Sequence, residues 1–312
     1  MSRLYSRTWY VETVMAILTI SRRFPERARR AQVSALAAAA YRLSRRKRIA
    51  TMRGLEGAFG AELTRTAKAA IAKACFYQFW RDAFWMLPSV SEQRALEAAP
   101  LRGEEHLQAA LARGKGVILL ETTLFGSRML PRIALHARGY AIHQVHGSGH
   151  LGGFEDDPLD ERAIRRARGF FDACEGKFVT EIIYLPASDS LAFTRTLRAR
   201  LERNGIVALA GNGWSRRLLA IPFLGSKAMF PTGPMSLARS FGAIPLAIFG
   251  LAPRTGGLEV TIEPIEAAGP SRDAAIQAGI GEYAALVEKY CRTYPEQYYG
   301  WRELLPPDAA VA

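Results

Sequence analysis

The sequence predicts an α/β fold: a mixed, mostly parallel central sheet flanked by helices, preceded by an N-terminal helical region. Three observations carry this. From Leu107 onward, short apolar runs alternate with longer segments of helical periodicity, the pattern of an α/β domain. Val117 to Leu120 is uninterrupted apolar sequence, which suits a strand buried on both faces. Before about residue 100 no such strand occurs, and the periodicity is helical.

Taken in order, Trp9 to Ile20 is a short, mostly apolar helix, and Arg22 to Arg30 is strongly basic with Pro25 as a breaker. Ala31 to Leu43 is Ala-rich and runs into Ser44-Arg-Arg-Lys-Arg48. Basic clusters flanking short apolar helices suit a segment lying on anionic lipid, where each basic residue contributes ~1 kcal/mol. They suit equally the solvated face of a helical cap. In Cys75 to Leu87, the residues Phe76, Phe79, Trp80, Phe84 and Leu87 recur at three and four positions and share one face, as core or as the wall of an acyl-chain groove.

Strands are expected near 117–122, 140–146, 178–184, 206–211 and 244–250, with Val260-Thr-Ile262 adding an edge. Helices are expected over 103–113, 128–137, 160–174, 190–203, 234–241 and 271–292. The organisation is thus a helical, membrane-proximal region over 1–100, an α/β domain over 101–305 and a frayed tail over 306–312.

With 312 residues and 49% hydrophobic content, the chain can bury a sizeable core. A net charge of +13 favours an anionic partner. No motif or aromatic-basic interleaving points to nucleic acid. Cys75, Cys174 and Cys291 are widely spaced and read as thiols of a reducing compartment. No uncharged apolar run approaches the ~18 residues of a spanning helix, and the N-terminus lacks the order of a signal peptide. The expected location is peripheral, at the cytoplasmic face of the inner membrane.

Two blocks carry chemistry. The first is Gly116-Val-Ile-Leu-Leu-Glu-Thr-Thr-Leu-Phe-Gly-Ser-Arg-Met-Leu-Pro-Arg132, a strand entering a turn and then a helix that Ser127 can cap. The second is Pro222-Phe-Leu-Gly225 followed by Pro231-Thr-Gly-Pro234, where Thr232 can cap a helix and Gly233 allows close backbone approach. Together with Arg48 to Phe59 and the closing Tyr294-Pro-Glu-Gln-Tyr-Tyr-Gly-Trp-Arg302, these blocks resemble the bacterial lipid A biosynthesis (late) acyltransferases of the lysophospholipid acyltransferase superfamily. The resemblance runs from about Arg45 to Trp301.

It implies transfer of a fatty acyl group from a thioester on acyl carrier protein or coenzyme A to a lipid, glycolipid or other acceptor. No cofactor is implied beyond that co-substrate, and no metal. The family motif is a His followed five residues later by Glu or Asp, the base and the group that orients it. Here the positions read Thr123 and Arg128. A Thr hydroxyl is no base, and Arg has only donors. Ala210-Gly-Asn-Gly-Trp214 likewise puts Gly211 and Asn212 where relatives often carry an Asp-Gln pair.

Replacement bases are Glu121, on the same strand face as Thr123, and one of His143, His146 and His150. His146 is favoured because it falls where the second strand ends beside the first. Glu121 can instead pair with Arg128 or Arg132, and the three His can be structural. Arg128 and Arg132, one turn apart at a helix start, can form an anion cradle or pair with Glu121 or Asp156. The resemblance implies that Asn212, Arg216, Phe223, Gly225, Thr232 and Gly233 line the substrate site. A catalytically silent relative that binds lipid or acyl carrier protein is the second reading.

Overall fold

The computed structural model describes residues 2–147, 159–186, 190–212, 217–252 and 256–304. Five helices come first: α1 (Ser2–Ser21), α2 (Glu26–Leu43), α3 (Arg45–Phe59), α4 (Arg65–Trp85) and α5 (Val90–Glu97). The α/β portion then runs β1 (Leu101–Arg102), α6 (Glu104–Ala112), β2 (Val117–Glu121), α7 (Met129–Ala137), β3 (Ile142–Gly147), α8 (Glu161–Glu175), β4 (Glu181–Leu185), α9 (Ser190–Glu202) and β5 (Ile206–Ala210). It closes with β6 (Leu218–Phe223), β7 (Ser226–Pro231), α10 (Gly233–Phe241), β8 (Ile244–Leu251), β9 (Glu259–Pro264) and α11 (Arg272–Thr293).

The sheet order is β1-β9-β8-β2-β5-β3-β4, and β8–β9 is its antiparallel pair. β2 sits between β5 and β8, and helices cover the sheet on both sides, so its side chains are buried on both faces, as the unbroken apolar run requires. One face packs Leu119, Ile142 and Ala208 against α7, α8 and the N-terminal helices. The other packs Leu120, Val145 and Leu209 against α9, α10 and α11.

Several expectations change. Val260-Thr-Ile262 is not an edge, because β1 pairs outside it in parallel register. Two residues are too short to leave a periodic signal. The block from Leu218 to Pro231 is an antiparallel hairpin, β6–β7, separate from the main sheet. Its two-residue turn, Leu224-Gly225, has positive φ at both positions, 54° and 70°. That geometry matches strand twist and favours Gly. Leu224 accepts it because its side chain is fully buried and its N–H donates to Glu288 at 3.0 Å.

On α4, Trp80 and Phe84 are core but Phe79 is 41% exposed, so the aromatic stripe is split. Thr232 precedes α10, but its hydroxyl does not cap it; it donates to the Arg217 carbonyl at 3.4 Å. No described helix is long and apolar enough to cross a membrane.

Candidate active site

The turn after β2 is fixed by its backbone. The Gly211 N–H and the Tyr283 hydroxyl both donate to the Glu121 carbonyl, at 2.8 and 3.2 Å. Gly126 N–H donates to Gln297 O at 2.8 Å, and Ser127 N–H to Gly250 O at 3.0 Å. Gly126 has φ +68°, and a Cβ there would lie 2.2 Å from the Gly250 oxygen, so both conformation and contact demand glycine. Ser127 caps α7 as expected, accepting from Leu130 N–H at 3.1 Å, while its own hydroxyl donates to Asp82.

Thr123 stands just past the strand end. Its N–H and its hydroxyl both donate to Asn212 Oδ1, at 2.9 and 3.0 Å. Thr123 and Asn212, chosen from separate blocks, therefore form one hydrogen-bonded unit. Nothing in that unit is a base near neutrality. Arg128 lies with its Nε 3.8 Å from Asp82 Oδ2, which offsets its charge at the start of α7.

The ionisable groups concentrate one row back, on the sheet face covered by α7 and α8. Glu121 pairs in register with Ala210 and Gln144 with Ala208, so the side chains of Glu121, Gln144 and, two residues further along β3, His146 lie on one face. Arg132 descends from α7 between them. Its Nε and Nη2 donate to the two Glu121 oxygens, at 3.1 and 2.8 Å, and its Nη1 pairs with Glu175 from α8. Gln144 adds a bond to Glu121 Oε2 at 2.9 Å, and His146 Nε2 lies 2.8 Å from Glu175 Oε2. Burial would lower the Arg132 pKa, but Glu121 and Glu175 outweigh it and raise the value.

Glu121, Arg132, Glu175 and His146 are all at least nine-tenths buried. Arg132 therefore does not join Arg128 in a solvent-facing anion cradle: two carboxylates consume its donors inside the protein. Glu121 takes the ion-paired alternative. Glu175 was not foreseen, since it lies at the end of an amphipathic helix, and only the fold brings it under β3.

His143 points to the opposite face and pairs with Glu181 at 2.7 Å. His150 and Arg216 lie outside the described residues. Phe223 is core, packed edge-on to Phe230 and tilted against Tyr298. Gly225 serves the hairpin turn, and a Cβ at Gly233 would meet nothing within 4 Å.

The fold and the β2 turn define an α/β protein of the class whose ligand sites lie beyond the carboxyl ends of the sheet strands. The more particular assignment comes from sequence: residues 1–126 match the family model of bacterial lipid A biosynthesis acyltransferase. The match covers the helical region and the first part of the sheet domain, and it is a similarity over that part of the 312-residue chain. It ends at residue 126, between Thr123 and Arg128. No curated protein matches the chain.

Proposed function

We propose that the protein moves a fatty acyl group from a thioester of acyl carrier protein or coenzyme A to a hydroxyl or amine of a lipid or glycolipid acceptor, with His146 as the base. The observation that carries this is the His146–Glu175 pair at 2.8 Å, one row below the Thr123–Asn212 unit. It combines the two groups the inherited motif has lost, an imidazole and a carboxylate that orients it.

With Nε2–H donated to Glu175, the ring lone pair lies on Nδ1. That nitrogen takes the acceptor proton as the acceptor oxygen or nitrogen attacks the thioester carbonyl. The tetrahedral intermediate then collapses, the C–S bond breaks, and the imidazolium returns the proton to the leaving thiolate. Glu175 favours the imidazolium formed between these steps.

Association with an anionic membrane surface fits the N-terminal helices. Ile20, Phe24 and Leu43 are exposed beside the exposed Arg22, Arg23 and Arg46. Apolar side chains interspersed with basic ones suit the headgroup boundary of the inner membrane's cytoplasmic face.

The test is transfer of a labelled acyl group from each thioester to a lipid extract, with wild type beside His146→Gln, Glu175→Gln, Glu121→Gln and Thr123→His. Removing a general base lowers the rate by about 10²–10⁴-fold. His146→Gln should do so and abolish the rise of rate with pH, while Thr123→His should not be needed for turnover. Full activity in a folded His146→Gln would sink the assignment of the base. Thioester or lipid binding without product in wild type would instead identify a binding protein.

A further inference from the structure

We propose that a cavity of about 470 Å³ at the amino edge of the sheet binds a small oxyanion, a carboxylate or a phosphate monoester, through Arg203, Arg200 and His143. The cavity lies among the first residues of β3, β4 and β5 and the last turn of α9. It is at the other end of the sheet from Thr123 and on the other face from His146. His143 and His146 are three residues apart on one strand, roughly 10 Å along it, with side chains on opposite faces.

Its polar wall is built in layers. His143 and Glu181 are direct register partners on β3 and β4, and Nδ1 lies 2.7 Å from Glu181 Oε1. Arg200, from α9, bonds both Glu181 oxygens, the Nη2–Oε2 distance being 3.1 Å. The Arg200 hydrogen bond holds Glu181 below the ordinary carboxylate range against a smaller opposing effect of burial, and His143 assists.

This arrangement does two things. Glu181 is neutralised, so it does not repel an anion, and Arg200 keeps its outer donors. The imidazole is also oriented: with Nδ1–H on the carboxylate, Nε2 carries the lone pair. A Cβ at Gly205 would come within 3.1 Å of Nε2, so glycine at that position keeps this nitrogen uncovered.

Arg203 completes the site. It lines the cavity and is exposed, and it has no ion-pair partner among the described residues. Arg200 and Glu181 cancel, leaving Arg203 as one uncompensated positive charge. An oxyanion can pair with Arg203 and Arg200 while a P–OH or neighbouring hydroxyl donates to His143 Nε2. Leu111, Ala141 and Ile206 supply apolar surface for a short carbon body. A purely structural cross-strand pair would account for His143 and Glu181, but not for an open volume in the usual range of ligand pockets with an unmatched Arg at its rim.

Inorganic phosphate and butyrate are the probes, titrated separately into full-length protein with labelled histidines. The ring signal of His143 is assigned by its loss in His143→Gln. Saturable shifts with a dissociation constant on the order of 1 mM are expected for at least one probe. The tighter one identifies phosphate ester or carboxylate as the ligand class. Arg203→Ala, a surface change, should weaken binding at least about tenfold. No saturable shift up to roughly 20 mM, or binding undiminished in Arg203→Ala, would overturn the proposal.

Discussion

Arg132→Met should be among the most damaging single substitutions in the protein, although it replaces a charge with an apolar side chain of similar length. The guanidinium is 2% exposed and lies between two buried carboxylates, bidentate to Glu121 and paired with Glu175. Replacing a whole buried ion cluster with apolar groups can be neutral, whereas removing one partner strands the others. Here two carboxylates would be left, with Gln144 and His146 as their remaining neutral or weakly basic contacts. The cost for breaking a buried pair is about 3–5 kcal/mol, against a total stability of roughly 5–15 kcal/mol. Urea unfolding followed by circular dichroism reads this as a lowered midpoint at unchanged slope. Adding Glu121→Gln to Arg132→Met removes one stranded charge. The double-mutant cycle should therefore show coupling toward the upper end of the usual ~0.5–3 kcal/mol. A loss below about 1 kcal/mol in Arg132→Met would refute the reading of this cluster as mutually dependent charges.

Gly126→Ala should destabilise by at least about 1 kcal/mol, because a Cβ meets the Gly250 oxygen at 2.2 Å and φ is +68°; a thermal midpoint equal to wild type would contradict this. The three cysteines are buried, so native protein at pH 8 should react with a soluble thiol reagent far more slowly than urea-unfolded protein. Burial pushes the Cys174 thiol up to about 11, above its unfolded value. Its contribution to stability is therefore complete below the ordinary thiol range and lost as pH rises through about 11, which unfolding measured from pH 8 to 11 would reveal against Cys174→Ala. Glu181 shifts the other way, held down chiefly by Arg200. Its contribution is present above the ordinary carboxylate value of about 4.3 and lost as pH falls through the depressed one, so Glu181→Gln should lose less stability than wild type on acidification across that window.

The fold was legible wherever burial forces a period on the chain. β2, β5 and β8 are covered on both faces and read as apolar runs, and α7 to α11 carry caps or apolar stripes at helical spacing. β1 was not legible because two residues carry no period, and the β6–β7 hairpin because its exposed strand resembles a loop. Local chemistry was legible too: Ser127 caps α7 because a hydroxyl three residues before a free N–H has only one geometry to satisfy. Thr232 shows the limit, since a nearer acceptor, the Arg217 carbonyl, takes its hydroxyl.

The candidate site divides along the same line. Glu121, Thr123 and Arg132 fall within one stretch, and Asn212 was placed beside them by the family resemblance of its block. Glu175 reaches His146 only through the crossover that lays α8 over β3, a contact 29 residues apart in sequence. The turn that presents position 123 is held by Gly211, Gly250, Tyr283 and Gln297, none of which senses the identity of the side chain at 123. The scaffold specifies where a group stands after β2, and only the hydroxyl bond from Thr123 to Asn212 depends on which residue stands there. The buried Glu121–Arg132–Glu175–His146 row has less freedom, because both carboxylates are held by the one Arg132 guanidinium and removing any member leaves buried polar groups without a partner.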